Sequence, residues 1–341
     1  MSPDRTRKLF LTIFSVLVLL ACQLPNIGGV PFVPPTPTST LTLIPTLTAT
    51  TTLTATETSA PTITPTLAPR VHHVLILSID GLRPDAISLA PMKHLLALMQ
   101  SGAYSLTAQT VYPSVTLVAH ASMLSGLCPS KHGVNWDQYL PERGYAQGTN
   151  LFDIAHAAGL KTEMYVGTKK LIQITEPSSL DNFVFVNDRE SVIMKRLIEE
   201  FPQDFGVLFI HFATADGMGH SYGWLSPQQL NFLVRDDQVL NQLLKELDKR
   251  NLRNDTLIIV TSDHGGHAST HGSDSPEDMT IPWIAVGPGI QPKVLTSPIH
   301  IMDTAATAAF ALGLKIPAEW DGVPVYEAFG LPVEKQSIDC Q

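Results

Sequence analysis

Three patterns of apolar and polar residues follow one another along the chain. The first is a basic start, MSPDRTRK, followed by a 13-residue apolar run, Leu9–Ala21. The second, Pro31–Pro69, is mostly Thr, Pro and small apolar residues, with Glu57 as its only charge. Such a stretch has no helical or strand period and too few large apolar residues to build a packed core. The third runs from Arg70 to Gln341 and alternates short apolar runs with amphipathic stretches.

Within the third part, Val71–Ile79 (VHHVLILSI), Lys161–Val166, Val207–Phe212 (VLFIHF), Thr256–Thr261 (TLIIVT) and Ile281–Val286 (IPWIAV) read as strands. The spacing predicts helices over Pro91–Gln100, Leu151–Ala158, Asp188–Phe201, Pro227–Arg250 and Thr304–Leu312. Asp188 and Ser191 are candidate caps for the third of these. Continuous apolar strands imply a sheet buried on both faces, and alternation of strand with helix implies crossover connections. The expected fold class is α/β, a three-layer sandwich with a mostly parallel central sheet. It forms one domain of 272 residues without internal repeat.

Charge and cysteines refine this picture. The whole chain carries −9, and residues 70–341 carry −10 of it. An acidic domain is a poor match for duplex nucleic acid, which needs basic phosphate contacts. Nothing in the sequence marks an obligate protein partner. Leu9–Ala21 is shorter than the roughly 20 residues of a membrane-spanning helix and suits the apolar part of an export signal. It ends Leu19-Leu20-Ala21-Cys22, which resembles the bacterial lipobox, where the cysteine is acylated. The expected organisation is a lipoprotein signal peptide over 1–22, a disordered Thr/Pro-rich linker over 23–69 and a catalytic domain over 70–341. The protein is then expected on the extracytoplasmic face, held to the membrane by lipid on Cys22. A fully extended linker, at about 3.1 Å per residue, would reach on the order of 100 Å. Cys128 and Cys340 lie far apart in sequence and can pair outside the cell, but a small buried thiol at Cys128 is the simpler expectation.

In a sheet of this kind ligands bind at the carboxyl ends of the strands. Asp80 follows the first strand, Asp216 and His220 follow Val207–Phe212, and Asp263, His264, His267 and His271 follow Thr256–Thr261. Singly, such residues are turn or core residues. Together they offer carboxylate and imidazole in the numbers two zinc ions need. Thr116 stands where an extended stretch opens a helix closing near Gly126. It reads either as a helix cap, with Ser114 an alternative, or as a nucleophile placed where the helix dipole favours an incoming phosphate.

The ordered set DGLRPD (from Asp80), YPSVT (to Thr116), DGMGH (from Asp216) and SDHGGHASTHG (from Ser262) resembles the alkaline phosphatase superfamily. Its closest branch looks like the type I phosphodiesterase/nucleotide pyrophosphatase family. The resemblance covers nearly all of Val71–Gly330. It implies a hydrolase of phosphate esters with two metal sites, most simply two Zn2+. Asp80, Thr116, Asp263 and His264 would hold one ion; Asp216, His220 and His271, preferred over His267, would hold the other. It also implies attack by Thr116 on phosphorus and a covalent phospho-threonine, later released by water. His120 and His132 match structural positions. This chain departs from the family pattern at Ala119, where nucleotide pyrophosphatases typically carry an Asn. Asn135 resembles an Asn that some phosphate monoesterases use instead, and Lys169 and Lys170 lie near a basic pair of those enzymes. Asn135 and Lys169 therefore join Thr116 as expected catalytic residues. The loops 137–150 and 168–182, with Trp136, Tyr139 and Tyr145, are the expected substrate pocket. A phosphomonoesterase, a transferase to an alcohol, and a non-catalytic surface binding lipoprotein on the same fold are the alternatives.

Overall fold

The structure, a computed structural model, describes residues 71–333 together with Gln336, Ile338 and Cys340. The expected signal peptide, Cys22 and the linker lie outside the described residues. Eight strands form one sheet: β1 (His73–Ile79), β2 (Ala103–Gln109), β3 (Lys161–Val166), β4 (Asn182–Phe185), β5 (Phe205–Phe212), β6 (Thr256–Thr261), β7 (Thr280–Val286) and β8 (Lys293–Val294). Their order is β4-β3-β5-β1-β6-β7-β2-β8. The first five in that order are mutually parallel. β7 runs antiparallel to both β6 and β2, and β8 runs parallel to β2.

β1 explains why the strands read as continuous apolar runs. It lies between β5 and β6, so both its edges are paired, and helices cover both its faces. Val74 and Ile76 enter a core shared with the helices Thr116–Ser125, Leu151–Ala157 and Asp303–Leu312. Leu75, Leu77 and Ile79 enter a second core, shared with Lys93–Ser101, Glu190–Glu199 and Pro227–Lys249. These two cores are the two interfaces of the three-layer sandwich. Each such side chain contributes about 1.5–3 kcal/mol of burial.

Three local features go beyond the sequence pattern. Glu190–Glu199 begins without a side-chain cap, so neither Asp188 nor Ser191 serves as one. The Asp188 carboxylate instead accepts from the adjacent Arg189 amide. Thr214–Tyr222 (TADGMGHSY) is a helix although its two glycines count against one. Packing overrides propensity here: a Cβ on Gly219 would lie 2.8 Å from the Trp224 ring, so glycine permits that contact. Thirdly, Cys128 is not a free thiol. It is disulfide-bonded to Cys340, with their Cα atoms 5.5 Å apart across a sequence separation of 212. The bond ties the end of the chain to the segment that follows the Thr116 helix. A cross-link closing so long a loop typically contributes about 2–4 kcal/mol.

Candidate active site

The carboxyl ends of β1, β5 and β6 meet at the middle of the sheet, and each leads into site residues. Asp80 follows β1 and Asp263-His264 follow β6, all three buried. Asp216 and His220 sit one turn apart on Thr214–Tyr222, the helix that leaves β5, so both project from one side of it. His271 returns to them on the loop after β6. That loop can press against its neighbours because of Gly265, where a Cβ would fall 2.0 Å from the Glu277 carbonyl oxygen.

Two groups of ligand-type atoms result: Asp80, Asp263 and His264 in the interior, and Asp216, His220 and His271 at its mouth. In the first, His264 Nε2 is 3.3 Å from Asp80 Oδ1 and 3.3 Å from Asp263 Oδ2. In the second, the Nε2 atoms of His220 and His271 are each 3.6 Å from Asp216 Oδ1. Ligands about 2.0–2.1 Å from a tetrahedral ion stand about 3.3 Å from one another. The three imidazoles share a further property. Nδ1 of His264, His220 and His271 lies 2.8, 3.0 and 2.9 Å from the carbonyls of Gly265, Ser269 and Ser114 respectively. Donation from Nδ1 leaves each Nε2 lone pair facing the carboxylates.

The carboxylates test whether a cation fits. Asp80 Oδ1, Asp216 Oδ1 and Asp263 Oδ2 are buried without a hydrogen-bond partner among the described residues. These are the oxygens that face the imidazole Nε2 atoms. Buried anionic oxygens without donors are costly unless something positive sits among them. Burial, then the charges of Asp263 and Asp216, raises the Asp80 carboxyl well above its usual range. Asp263 goes the other way: burial works against its ionisation, but His264, His120 and His211 hold it below the ordinary carboxylate value. The residues present fit two cations, one per group.

Thr116 is the first residue of its helix, and the N-cap is Val115, with no side-chain capping bond. Thr116 is therefore not a cap. Its buried Oγ1 lies 3.5 Å from His264 Nε2. The Ser114 hydroxyl turns away and donates to the Ser273 carbonyl at 2.7 Å. His267 joins neither group; its Nδ1 is 2.7 Å from Asp278 Oδ1. His120 is buried behind the site, bridging the Thr116 carbonyl at 2.7 Å and Ser78 Oγ at 2.8 Å. His132 likewise has structural bonds, to Ser122 Oγ and the Val134 amide.

The remaining expected residues stand differently. Asn135 is exposed and accepts from Arg143. Lys169 is exposed, its Nζ 4.4 Å above the Tyr139 ring. Neither joins the ligand groups. The neighbouring Lys170 turns inward and pairs with Asp137 at 2.8 Å, and its charge offsets a small part of the rise in the Asp80 carboxyl. Ala119 packs in the apolar core, so that position faces away from the site. Tyr139, Tyr145, Lys169 and Phe183 line a cavity of about 290 Å³. Trp136 is stacked beneath Arg143 instead.

Two contributors escaped sequence reading. His211, on β5, lies 3.0 Å from Asp80 Oδ2 through Nε2 and is fully buried. Burial, then the neighbouring His120, pulls its pKa well below the ordinary value. A histidine inside the apolar run VLFIHF was its one visible signal. Trp224 packs edge-on against His220 and His271 and donates to the Gly81 carbonyl at 3.0 Å. No local pattern announced it.

Comparison with known proteins agrees with this architecture. The catalytic subunit of human GPI ethanolamine phosphate transferase 2 is 27% identical over 296 residues, 79% of this chain and 29% of its own length. A Naja atra venom phosphodiesterase is 26% identical over 221 residues, 57% of this chain and 26% of its own. The chain thus spans less than a third of either relative. The murine ectonucleotide pyrophosphatase/phosphodiesterase 5 structure superposes with a TM-score of 0.64 at 17% identity, covering 76% of this chain and 99% of that one. At that identity the likeness shows a shared fold. The family model of type I phosphodiesterase / nucleotide pyrophosphatase matches residues 74–280, and the chain belongs to that family.

Proposed function

We propose that this chain is an exported, metal-dependent hydrolase of phosphate esters that works through Thr116. The observation carrying this reading is the placement of Thr116 Oγ1: first in its helix, in no capping bond, and 3.5 Å from His264 Nε2 beside unpartnered carboxylate oxygens. Asp80, Asp263 and His264, with Thr116, would hold one ion, and Asp216, His220 and His271 the other. Zinc suits the mixed imidazole–carboxylate set, and when bound would supply charge favouring an ionised hydroxyl and stabilising phosphoryl oxygens.

The chain's own part is orientation and nucleophilic attack. The Thr116 helix directs its positive end toward the entering phosphate. Thr116 Oγ1 attacks phosphorus in line, the bond to the leaving oxygen breaks, and the phosphoryl group stays on Thr116. Water attacks the same phosphorus from the vacated side and releases Thr116. Two inversions give net retention. Lys170, rather than Lys169, is the basic residue we assign to this site.

An alcohol in place of that water would make the chain a transferase. The ethanolamine phosphate transferase relative, matched over most of this chain, favours keeping that reading. Product analysis in the presence of an alcohol separates the two. The Cys128–Cys340 disulfide supports an oxidising compartment, in keeping with export. Cys22→Ser should release the protein from membranes or leave it unprocessed; a membrane-bound, fully processed product would argue against the lipid anchor.

The central experiment is acid-quench trapping of labelled phosphoenzyme with steady-state kinetics. Thr116→Ala should abolish labelling and lower turnover by several orders of magnitude, while Thr116→Ser keeps measurable activity. Near wild-type turnover in the Ala variant would end this reading.

A further inference from the structure

The carboxylate of Asp137 sits at the head of the nucleophile's helix. Its Oδ1 accepts the amide of Leu117, the residue after Thr116, at 2.8 Å. Its Oδ2 accepts from Lys170 Nζ, also at 2.8 Å. Both partners hold it firmly, and its side chain is 33% exposed. A helix N-terminus beside a nucleophile is where free amides would ordinarily meet phosphoryl oxygens. Here one of those amides already serves a full negative charge.

Any phosphorus attacked by Thr116 must come within roughly 3–3.5 Å of Oγ1, which brings its non-bridging oxygens to the same helix end. The charge they carry then matters. A phosphate monoester brings two negative charges near pH 8, since its second ionisation lies near pH 6. A phosphodiester or a phosphonate monoester brings one. Lys170 offsets part of the Asp137 charge, but it is bound to the oxygen that the Leu117 amide does not hold.

We propose that Asp137, fixed between the Leu117 amide and Lys170, is a specificity-determining residue that disfavours doubly charged phosphoryl groups and leaves singly charged ones as substrates. This rests on the Thr116 reading above and deepens it. The discriminating feature is charge at phosphorus, independent of the leaving group. One extra unit charge a few ångströms from a partly exposed carboxylate alters selectivity on the order of tenfold to a hundredfold.

The test uses two substrates with one leaving group: p-nitrophenyl phosphate, doubly charged at pH 8, and p-nitrophenyl phenylphosphonate, singly charged. Asp137→Asn keeps an oxygen for the Leu117 amide and removes the charge. It should raise the phosphate-to-phosphonate ratio of kcat/KM by at least tenfold. It should also tighten binding of inorganic phosphate, measured by calorimetry on the zinc-loaded protein, by a similar factor. Lys170→Met should move both quantities the other way. A purely structural Asp137 predicts equal effects on both substrates and unchanged phosphate binding; that result overturns the proposal. Trapping of phosphoenzyme in the same variants separates the two failures. Labelled Thr116 with an unmoved ratio sinks only the role of Asp137, whereas no labelling in the wild type removes the Thr116 reading and this one with it.

Discussion

The imidazole rings of His264 and His271 are stacked, with centroids 3.7 Å apart and planes 12° from parallel. Each belongs to a different ligand group, so the stack is the seam between the interior group and the one at the mouth. Both rings are fixed through Nδ1 to backbone carbonyls, of Gly265 and Ser114. Their Nε2 atoms therefore keep their directions before any ion arrives, and two ions would sit as neighbours.

Metal content follows from this arrangement. Purified protein saturated with zinc should hold two ions per chain. His271→Ala should lose one and keep the other. His267→Ala should keep both, because His267 is engaged with Asp278 and lies outside the groups. Elemental analysis after gel filtration decides the matter. One ion in the wild type, or loss on changing His267 alone, would overturn the assignment.

His211 is buried and meets Asp80 at Oδ2, while His264 faces the other oxygen, Oδ1. His211→Phe keeps the bulk within β5 but removes the bond to Asp80 Oδ2. Partners of this kind, supporting a metal ligand, typically account for about 10–100-fold in affinity. Zinc affinity of the interior group, read by competition with a chromophoric chelator, should weaken by that factor. Unchanged affinity would leave His211 as core packing alone.

His132 gives a pH dependence of stability. It is fully buried, takes the Val134 amide on Nδ1 at 3.2 Å and meets Ser122 Oγ through Nε2 at 2.9 Å. Both bonds suit the neutral ring, and burial lowers its pKa from 6.5 to about 4. Between those values the unfolded chain binds the proton and the folded chain does not. Stability is thus full above about pH 6.5 and falls as pH drops toward 4, by about 3 kcal/mol for this group. Urea midpoints between pH 7.5 and 4.5, with excess chelator, should fall more steeply for the wild type than for His132→Gln. Parallel slopes would refute this.

Much of the molecule is written in local pattern. The runs VLILSI and TLIIVT announce strands because both sides of β1 and β6 meet apolar layers, and β6 has the predicted bounds Thr256–Thr261. Asp80, Asp263 and His264 were visible because acids and imidazoles recur after several apolar strands in an order that resembles a known family, although each alone reads as a turn or core residue. The helix opening at Thr116 was visible too, though whether its hydroxyl capped that helix was not.

Tertiary structure decided what depends on partners distant in the chain. It seats His271, not His267, beside Asp216: Asp278 engages His267, while the Ser114 carbonyl holds His271 with its Nε2 toward Asp216. It turns Lys170 inward and Lys169 onto Tyr139, since adjacent side chains on the 3-10 helix Lys169–Ile174 point about a third of a turn apart. It folds the glycine-containing Thr214–Tyr222 segment into a helix against Trp224, and it joins Cys128 to Cys340 across 212 residues. Periodicity reports only which side of an element is apolar. The identity of what lies opposite, for His211 and Asp137 as for the two cysteines, emerges only when the sheet brings separate segments together.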